Sequence, residues 1–239
     1  MRDARLAGMR WLAIPLALLC TQCTQPAAGN DDPPGSQERP RARYHMRQHF
    51  SDLRTVQQML VAGKLEEAKA FAFLLTRSSP AMRATPEGRD VTLAAGSLAS
   101  ARTLDDAVDH AIRIGGACAS CHVRVHKTPL FPVPSRAPRD APTIAAQMAR
   151  HEWAVARLWE GYIGASQAHW RAGLYVLATS PLPRMNIASS GIARTLQQRA
   201  RRALDRGDAP TIAERAADYA DLLDACVSCH AENGHGRAR

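Results

Sequence analysis

The chain has 239 residues, with 31 lysines and arginines against 22 aspartates and glutamates, so its formal net charge is +9. The basic excess is almost entirely arginine and is spread along predicted helices, which argues against a nucleic-acid-binding protein. It suits an acidic protein partner or anionic lipid head groups, and a solvated face that only aids solubility is the alternative. Beyond the N-terminal region, no stretch is long and apolar enough to span a bilayer.

Residues 1–29 are predicted to be a signal peptide. Arginines at positions 2, 5 and 10 surround the start of an apolar stretch, residues 11–20, that is too short for a membrane span and suits an export signal. Ordinary cleavage near the small residues at 27–29 gives a periplasmic or otherwise exported protein.

A lipid anchor on Cys20 or Cys23 is the alternative to ordinary cleavage. The small residue expected before a lipidated cysteine is absent, because Leu19 precedes Cys20 and Gln22 precedes Cys23. Both readings place the mature protein outside the cytoplasm, and the second attaches it to a membrane.

Two low-complexity regions divide the rest of the chain. Residues 30–40, rich in proline, glycine and charged side chains, are predicted to be a flexible tether. Residues 128–141 contain four prolines and are predicted to be an interdomain linker. They leave two segments of similar size, 41–127 and 142–234, and a short tail, 235–239.

Each segment is predicted to fold as four helices, and no stretch has a pattern that predicts a strand. The predicted helices are 43–62, 65–77, 90–100 and 103–126 in the first segment, and 143–163, 166–179, 190–206 and 211–231 in the second. The last helix starts with Thr211-Ile-Ala-Glu214, a capping box. The fold class is therefore all-α.

The last helix of each segment carries one copy of C-x-x-C-H, the attachment signature of a c-type haem. The copies are Cys118, Cys121 and His122, and Cys226, Cys229 and His230. The two thiols form thioethers with the haem vinyl groups, and the imidazole binds the iron. On a helix, this spacing puts all three side chains on one face, so a porphyrin can lie flat against it.

A single C-x-x-C could also be a redox pair or half of a zinc site. Two copies, each with its histidine at the end of a similar segment, favour two covalently attached haems over both alternatives. With these four cysteines bound to haem, the predicted domains have no pair left for a disulfide.

Four helices with a haem motif near the end of the fourth resemble the cytochrome c′ superfamily. The resemblance implies two tandem antiparallel four-helix bundles, each enclosing one haem, with His122 and His230 as fifth ligands of the iron. It also implies that the sixth side faces the first helix of each bundle. Here the residues after each motif, Val123-Arg124 and Ala231-Glu232, lack the aromatic-arginine pair common in that family.

The sixth ligand has three candidates. Met46 and Met148 occupy matching positions early in the first helix of each segment, and a thioether there would raise the reduction potential relative to a second imidazole. His49 and His151 follow one turn later and would give bis-histidine ligation. An open site that binds NO or CO is the third alternative.

The sequence thus predicts an exported dihaem cytochrome that carries electrons between acidic redox partners. It shows no arrangement typical of a catalytic site, such as a nucleophile with its base or a phosphate-binding glycine loop, so we expect no enzymatic activity. The competing hypothesis is a gas-binding or gas-sensing protein of the cytochrome c′ type.

Overall fold

The computed structural model describes residues 38–77, 80–126, 131–132, 134–181, 187–207 and 209–233. Across these residues the chain is all-helical, without a strand, as the sequence predicts. The helices are α1 (Glu38–Val61), α2 (Leu65–Leu75), the single turn α3 (Pro80–Arg83), α4 (Pro86–Ala99), α5 (Leu104–Arg124), α6 (Ile144–Ile163), α7 (Gln167–Thr179), α8 (Ile187–Asp205) and α9 (Ile212–Glu232). We call residues 38–126 the first half and residues 142–233 the second half.

Side-chain caps set where most of these helices begin. The N-caps Thr85, Thr103, Thr143, Ser166 and Thr211 each accept a hydrogen bond from a backbone N–H in the first turn. The capping box at the start of α9 is confirmed, because the Glu214 carboxylate also accepts from the Thr211 N–H at 2.7 Å.

Three helices begin earlier than the sequence predicts, namely α1, α4 and α8, the last at Ile187 rather than at residue 190, and one extra turn, α3, is present. α4 begins at Pro86 rather than at residue 90, because Thr85 caps it and proline suits the first helical position. α1 begins at Glu38, so the last residues of the predicted tether are helical. The single turn α3 lies where the sequence indicates only a break between two helices.

Helices that follow one another pack together within each half. In the first half α1 packs on α2, α2 on α4 and α4 on α5, and α5 returns to α1. In the second half α6 packs on α7, α7 on α8 and α8 on α9, and α9 returns to α6. The halves also contact each other through α5, which packs on both α6 and α9, and the buried apolar side chains form one continuous core.

An aromatic cluster of Trp159, Tyr162 and Tyr219 fills the boundary between the halves. Their rings lie 5.4–5.9 Å apart, centroid to centroid, and the Tyr162 hydroxyl donates to the Ile112 carbonyl of the first half at 2.9 Å. α5 approaches closely because Gly115 has no side chain: a Cβ there would lie 2.6 Å from the Tyr162 ring. This contact joins the halves tightly.

The proline-rich segment between the halves lies against α6 and α7. Pro132 accepts a hydrogen bond from His169 Nε2 at 2.9 Å, and Pro138 accepts one from Arg150 at 2.6 Å. The Phe131 ring packs on Phe50 of the first half, with centroids 5.1 Å apart. In its described part, this segment is therefore held by specific contacts with the helices.

A search of the described residues finds no helix that combines the length and apolar character needed to cross a membrane. The predicted signal peptide, with Cys20 and Cys23, lies outside the described residues.

Candidate functional site

The first motif occupies the last turns of α5. Cys118, Cys121 and His122 follow one another at helical spacing, near the end where α5 contacts the second half. Burial raises the pKa of the Cys118 thiol to about 12. The pKa of Cys121 is also raised, mainly by burial and by Glu87.

The His122 imidazole reaches across to the second half. Its Nδ1 lies 3.1 Å from the carbonyl oxygen of Ile163, the last residue of α6. A carbonyl only accepts hydrogen bonds, so Nδ1 carries the proton and donates, and Nε2 is left with its lone pair. This is the tautomer in which Nε2 can bind a metal while the other ring nitrogen is held by an outer partner.

The second motif lies at the end of α9 and borders a cavity of about 360 Å³. This volume is within the usual range of small-molecule and cofactor sites, about 300–1,000 Å³. The lining comes from four helices and includes Cys226, Cys229 and His230 of α9, Met148 and His151 of α6, Ile192 and Leu196 of α8, and Gln57 and Met59 of α1. The structure therefore brings the second motif together with both of its candidate sixth ligands.

His151 and His230 are close enough within this cavity to interact electrostatically. Burial, helped by Arg150 and by His230, lowers the pKa of His151 to about 4. His151 is therefore a neutral imidazole at physiological pH and has a free lone pair for a metal. Because Met148 lines the same cavity, both the Met and the His ligand hypotheses stay open for this motif.

The corresponding residues of the first half are placed differently. Met46 is 43% exposed, so solvent contacts a large part of its side chain. His49 is half-buried; burial lowers its pKa with a contribution from His45, while Asp52 opposes the shift. Its Nδ1 is buried without a hydrogen-bond partner in the described part of the chain.

The thiols have the wrong setting for a redox-active or nucleophilic pair. Reactive C-x-x-C pairs have depressed thiol pKa values and commonly lie at helix N-termini, where the helix dipole stabilises a thiolate. Here both pairs lie near the C-terminal ends of α5 and α9, and burial raises the pKa of Cys226, like that of Cys118, to about 12. A raised thiol pKa disfavours the thiolate that disulfide exchange requires.

Among the described residues, no group of three or more His, Cys, Asp or Glu side chains is arranged to hold a metal ion. Each motif contains one imidazole and two thiols. At the second motif, the thioether of Met148 and the imidazole of His151 line the same cavity. Such a set can hold a flat, largely apolar cofactor that carries its own metal.

The sequence interpretation missed the contribution of α1 to the second motif. Arg54, Gln57 and Val61 of α1 line the cavity although they belong to the first half. They recur three and four residues apart, which marks one helix face. That spacing is visible in the sequence, but it does not reveal which motif the face contacts.

Comparison of the chain with known protein families, with curated proteins and with solved structures finds no significant match.

Proposed function

We propose that this protein is an exported dihaem c-type cytochrome that carries electrons between redox partner proteins. One haem is attached through Cys118 and Cys121 and the other through Cys226 and Cys229, with His122 and His230 as the proximal ligands. Each motif ends a four-helix bundle, α1, α2, α4 and α5 in the first half and α6 to α9 in the second, like those of the cytochrome c′ superfamily.

The observation that carries this proposal is the cavity at the second motif. Two thiols and an imidazole on α9 face a thioether and a second imidazole on α6 across about 360 Å³ of mainly apolar space. These are the donors that haem attachment and axial ligation require. The carbonyl of Ile163 supports the same chemistry at the first motif, because it holds His122 with Nε2 available.

A bound c-type haem supplies a one-electron Fe(III)/Fe(II) couple. The residues of this chain would hold it in place and exclude water with apolar side chains such as Ile192 and Leu196, and the Ile163 carbonyl would fix the ring orientation of His122. A methionine such as Met148 as sixth ligand favours the reduced form. The net positive charge of the chain attracts acidic partners to its surface.

The first motif supports a second candidate function, the binding of a small gas molecule. Met46 is 43% exposed, so its thioether is not packed as Met148 is. An iron at His122 without a sixth protein ligand would be open to NO or CO. On this proposal, the second centre transfers electrons and the first binds gas.

Mass spectrometry and visible spectroscopy of the exported full-length protein test these functions. Denatured protein should retain two haem additions, and variants with Cys118→Ala and Cys121→Ala, or with Cys226→Ala and Cys229→Ala, should each retain one. A mass without haem would refute the proposal. CO added to the reduced protein separates the candidates: no CO-bound form supports a carrier at both sites, and CO binding only at the first supports the gas-binding function there.

A further inference from the structure

The two helices that carry the attachment motifs are direct neighbours. α5 ends with the first motif and α9 with the second, and the two helices pack on each other across the boundary between the halves. α6 packs on both of them, so that three helices meet at this boundary. Side chains of α6 and α9 that are buried there can therefore link one motif with the other.

Tyr162 of α6 lies beside the first motif. Its hydroxyl donates to the Ile112 carbonyl on α5 at 2.9 Å, and a Cβ at Gly116 of α5 would lie 3.0 Å from the hydroxyl oxygen. Gly116 is two residues before Cys118, the first cysteine of the motif. Burial raises the pKa of Tyr162, and the proximity of Cys118 raises it further. The Tyr162 side chain is therefore a close neighbour of Cys118.

Tyr219 of α9 has the matching position beside the second motif. It is 1% exposed and precedes Cys226 by two helical turns, so both side chains lie on one face of α9. Burial raises its pKa well above the usual value, and Cys226 and Tyr162 both add to this shift. The rings of Tyr219 and Tyr162 lie 5.9 Å apart, centroid to centroid, and are tilted by 30°. The boundary between the halves is thus crossed by a series of neighbouring side chains, Cys118, Tyr162, Tyr219 and Cys226.

We propose that the two sites exchange electrons within one chain, through Tyr162 and Tyr219, and that the protein thereby relays electrons from a partner at one half to a partner at the other. The inference rests on the proposed haem function, since thioethers at Cys118 and Cys226 would join one haem to each end of this series. In each exchange one iron is oxidised from Fe(II) to Fe(III) and the other is reduced from Fe(III) to Fe(II); no proton moves, and the tyrosines undergo no net redox change. Packed rings favour this step, because an electron crosses closely packed atoms faster than an empty gap of the same width.

Flash photoreduction of the fully oxidised, full-length protein with its haems attached tests this proposal. A photosensitiser supplies fewer electrons than there are chains, and visible absorbance follows the two sites. Their spectra are assigned from two single-haem variants, Cys118→Ala with Cys121→Ala and Cys226→Ala with Cys229→Ala. After the flash, electrons should redistribute between the sites of the wild type at a rate that does not depend on protein concentration. A mixture of the two single-haem variants should show only redistribution that becomes faster with concentration, because each electron must then pass between molecules.

Tyr162→Leu and Tyr219→Leu should each slow the internal redistribution several-fold, because leucine leaves a gap where the two rings meet. Tyr219→Phe is the matched control. It keeps the ring, and the hydroxyl that it removes has no hydrogen-bond partner within the described residues, so the rate should stay that of the wild type. Tyr175→Leu, at an exposed position on α7, should also leave the rate unchanged.

Haem absorbance of each variant measures whether both sites are loaded. Redistribution that is absent from the wild type, that scales with its concentration, or that keeps its rate in both leucine variants would overturn this proposal and leave the carrier function intact. If one leucine variant does not retain its haems, the other variant and the concentration dependence of the wild type decide. Absence of haem from the wild type would instead refute the proposed function itself.

Discussion

The two halves repeat one sequence pattern but surround their motifs differently. In the second half, Met148 and His151 share a cavity with His230, while in the first half Met46 is 43% exposed. The first motif is followed by Arg124, which makes a bidentate ion pair with Glu87 at 2.6 and 2.7 Å; the second has Glu232 at that position. Equivalent positions of a repeat can therefore have different surroundings, because each motif also contacts the other half.

The sharpest test of this comparison is the matched pair Met148→Ala and Met46→Ala. On the proposed function, with Met148 as the sixth ligand, Met148→Ala should convert the haem of the second motif to a high-spin form that binds CO, because its thioether lines that site. Met46→Ala should change the spectrum little, since 43% of Met46 is exposed to solvent. Visible spectra of oxidised and reduced protein, with and without CO, measure both. Equal changes in the two variants would show that the sites are alike despite their different surroundings.

Trp159→Ala should destabilise both halves together. Trp159 is 1% exposed and packs between Tyr162 and Tyr219, and loss of a buried tryptophan costs about 3–5 kcal/mol. Trp153→Ala, at a half-buried position, is the control and should cost about 1 kcal/mol. Denaturant unfolding, followed by circular dichroism and by the absorbance of the proposed haems, should show one shared transition. Two separate transitions would mean that the halves fold independently.

Acid should destabilise the fold through His151 of the second half. Its pKa in the fold is about 4, below the ordinary 6.5, so between these values the unfolded chain binds a proton that the folded chain does not. Stability should therefore fall by roughly 3 kcal/mol as pH drops from 6.5 to 4, and His151→Asn should remove this part of the pH dependence. Unfolding curves of the wild type and of His151→Asn, recorded at a series of pH values, measure this loss of stability.

His49→Asn is the counterpart in the first half. The pKa of His49 is also lowered by burial, but Asp52 opposes that shift. The acid dependence removed by this variant should be smaller than that removed by His151→Asn, and a larger effect would contradict the asymmetry between the halves.

Gly115→Ala should weaken the contact between the halves by about 1–3 kcal/mol. The added Cβ would lie 2.6 Å from the Tyr162 ring and 2.9 Å from that of Trp159, both firmly packed. Gly96→Ala is the matched control, because it lies within α4 with nothing within 4 Å of the added atom. It should stabilise the protein by up to about 1 kcal/mol through helix propensity. Thermal unfolding of both variants measures whether each change lowers or raises the stability. Stabilisation by Gly115→Ala would mean that the halves are not closely packed at this position.

Local features of the sequence determined the all-α fold class, the helix order and the capping box at Thr211, because caps and helical periodicity depend on residues a few positions apart. The cysteine and histidine spacing placed each attachment motif on one helix face for the same reason. The sequence prediction does not include the early starts of α1 and α4. The start of α1 lies in residues whose composition is typical of a tether, and the start of α4 depends on the N-cap Thr85.

Contacts between distant parts of the chain were decided only by the tertiary structure. The carbonyl of Ile163 at His122, the wall of α1 at the second motif and the exposure of Met46 all depend on how α1 and α6 pack against the opposite half. A repeat in sequence specifies two similar sets of helices. It does not specify which faces meet between them, since that depends on complementary shapes such as the gap at Gly115 that receives Tyr162.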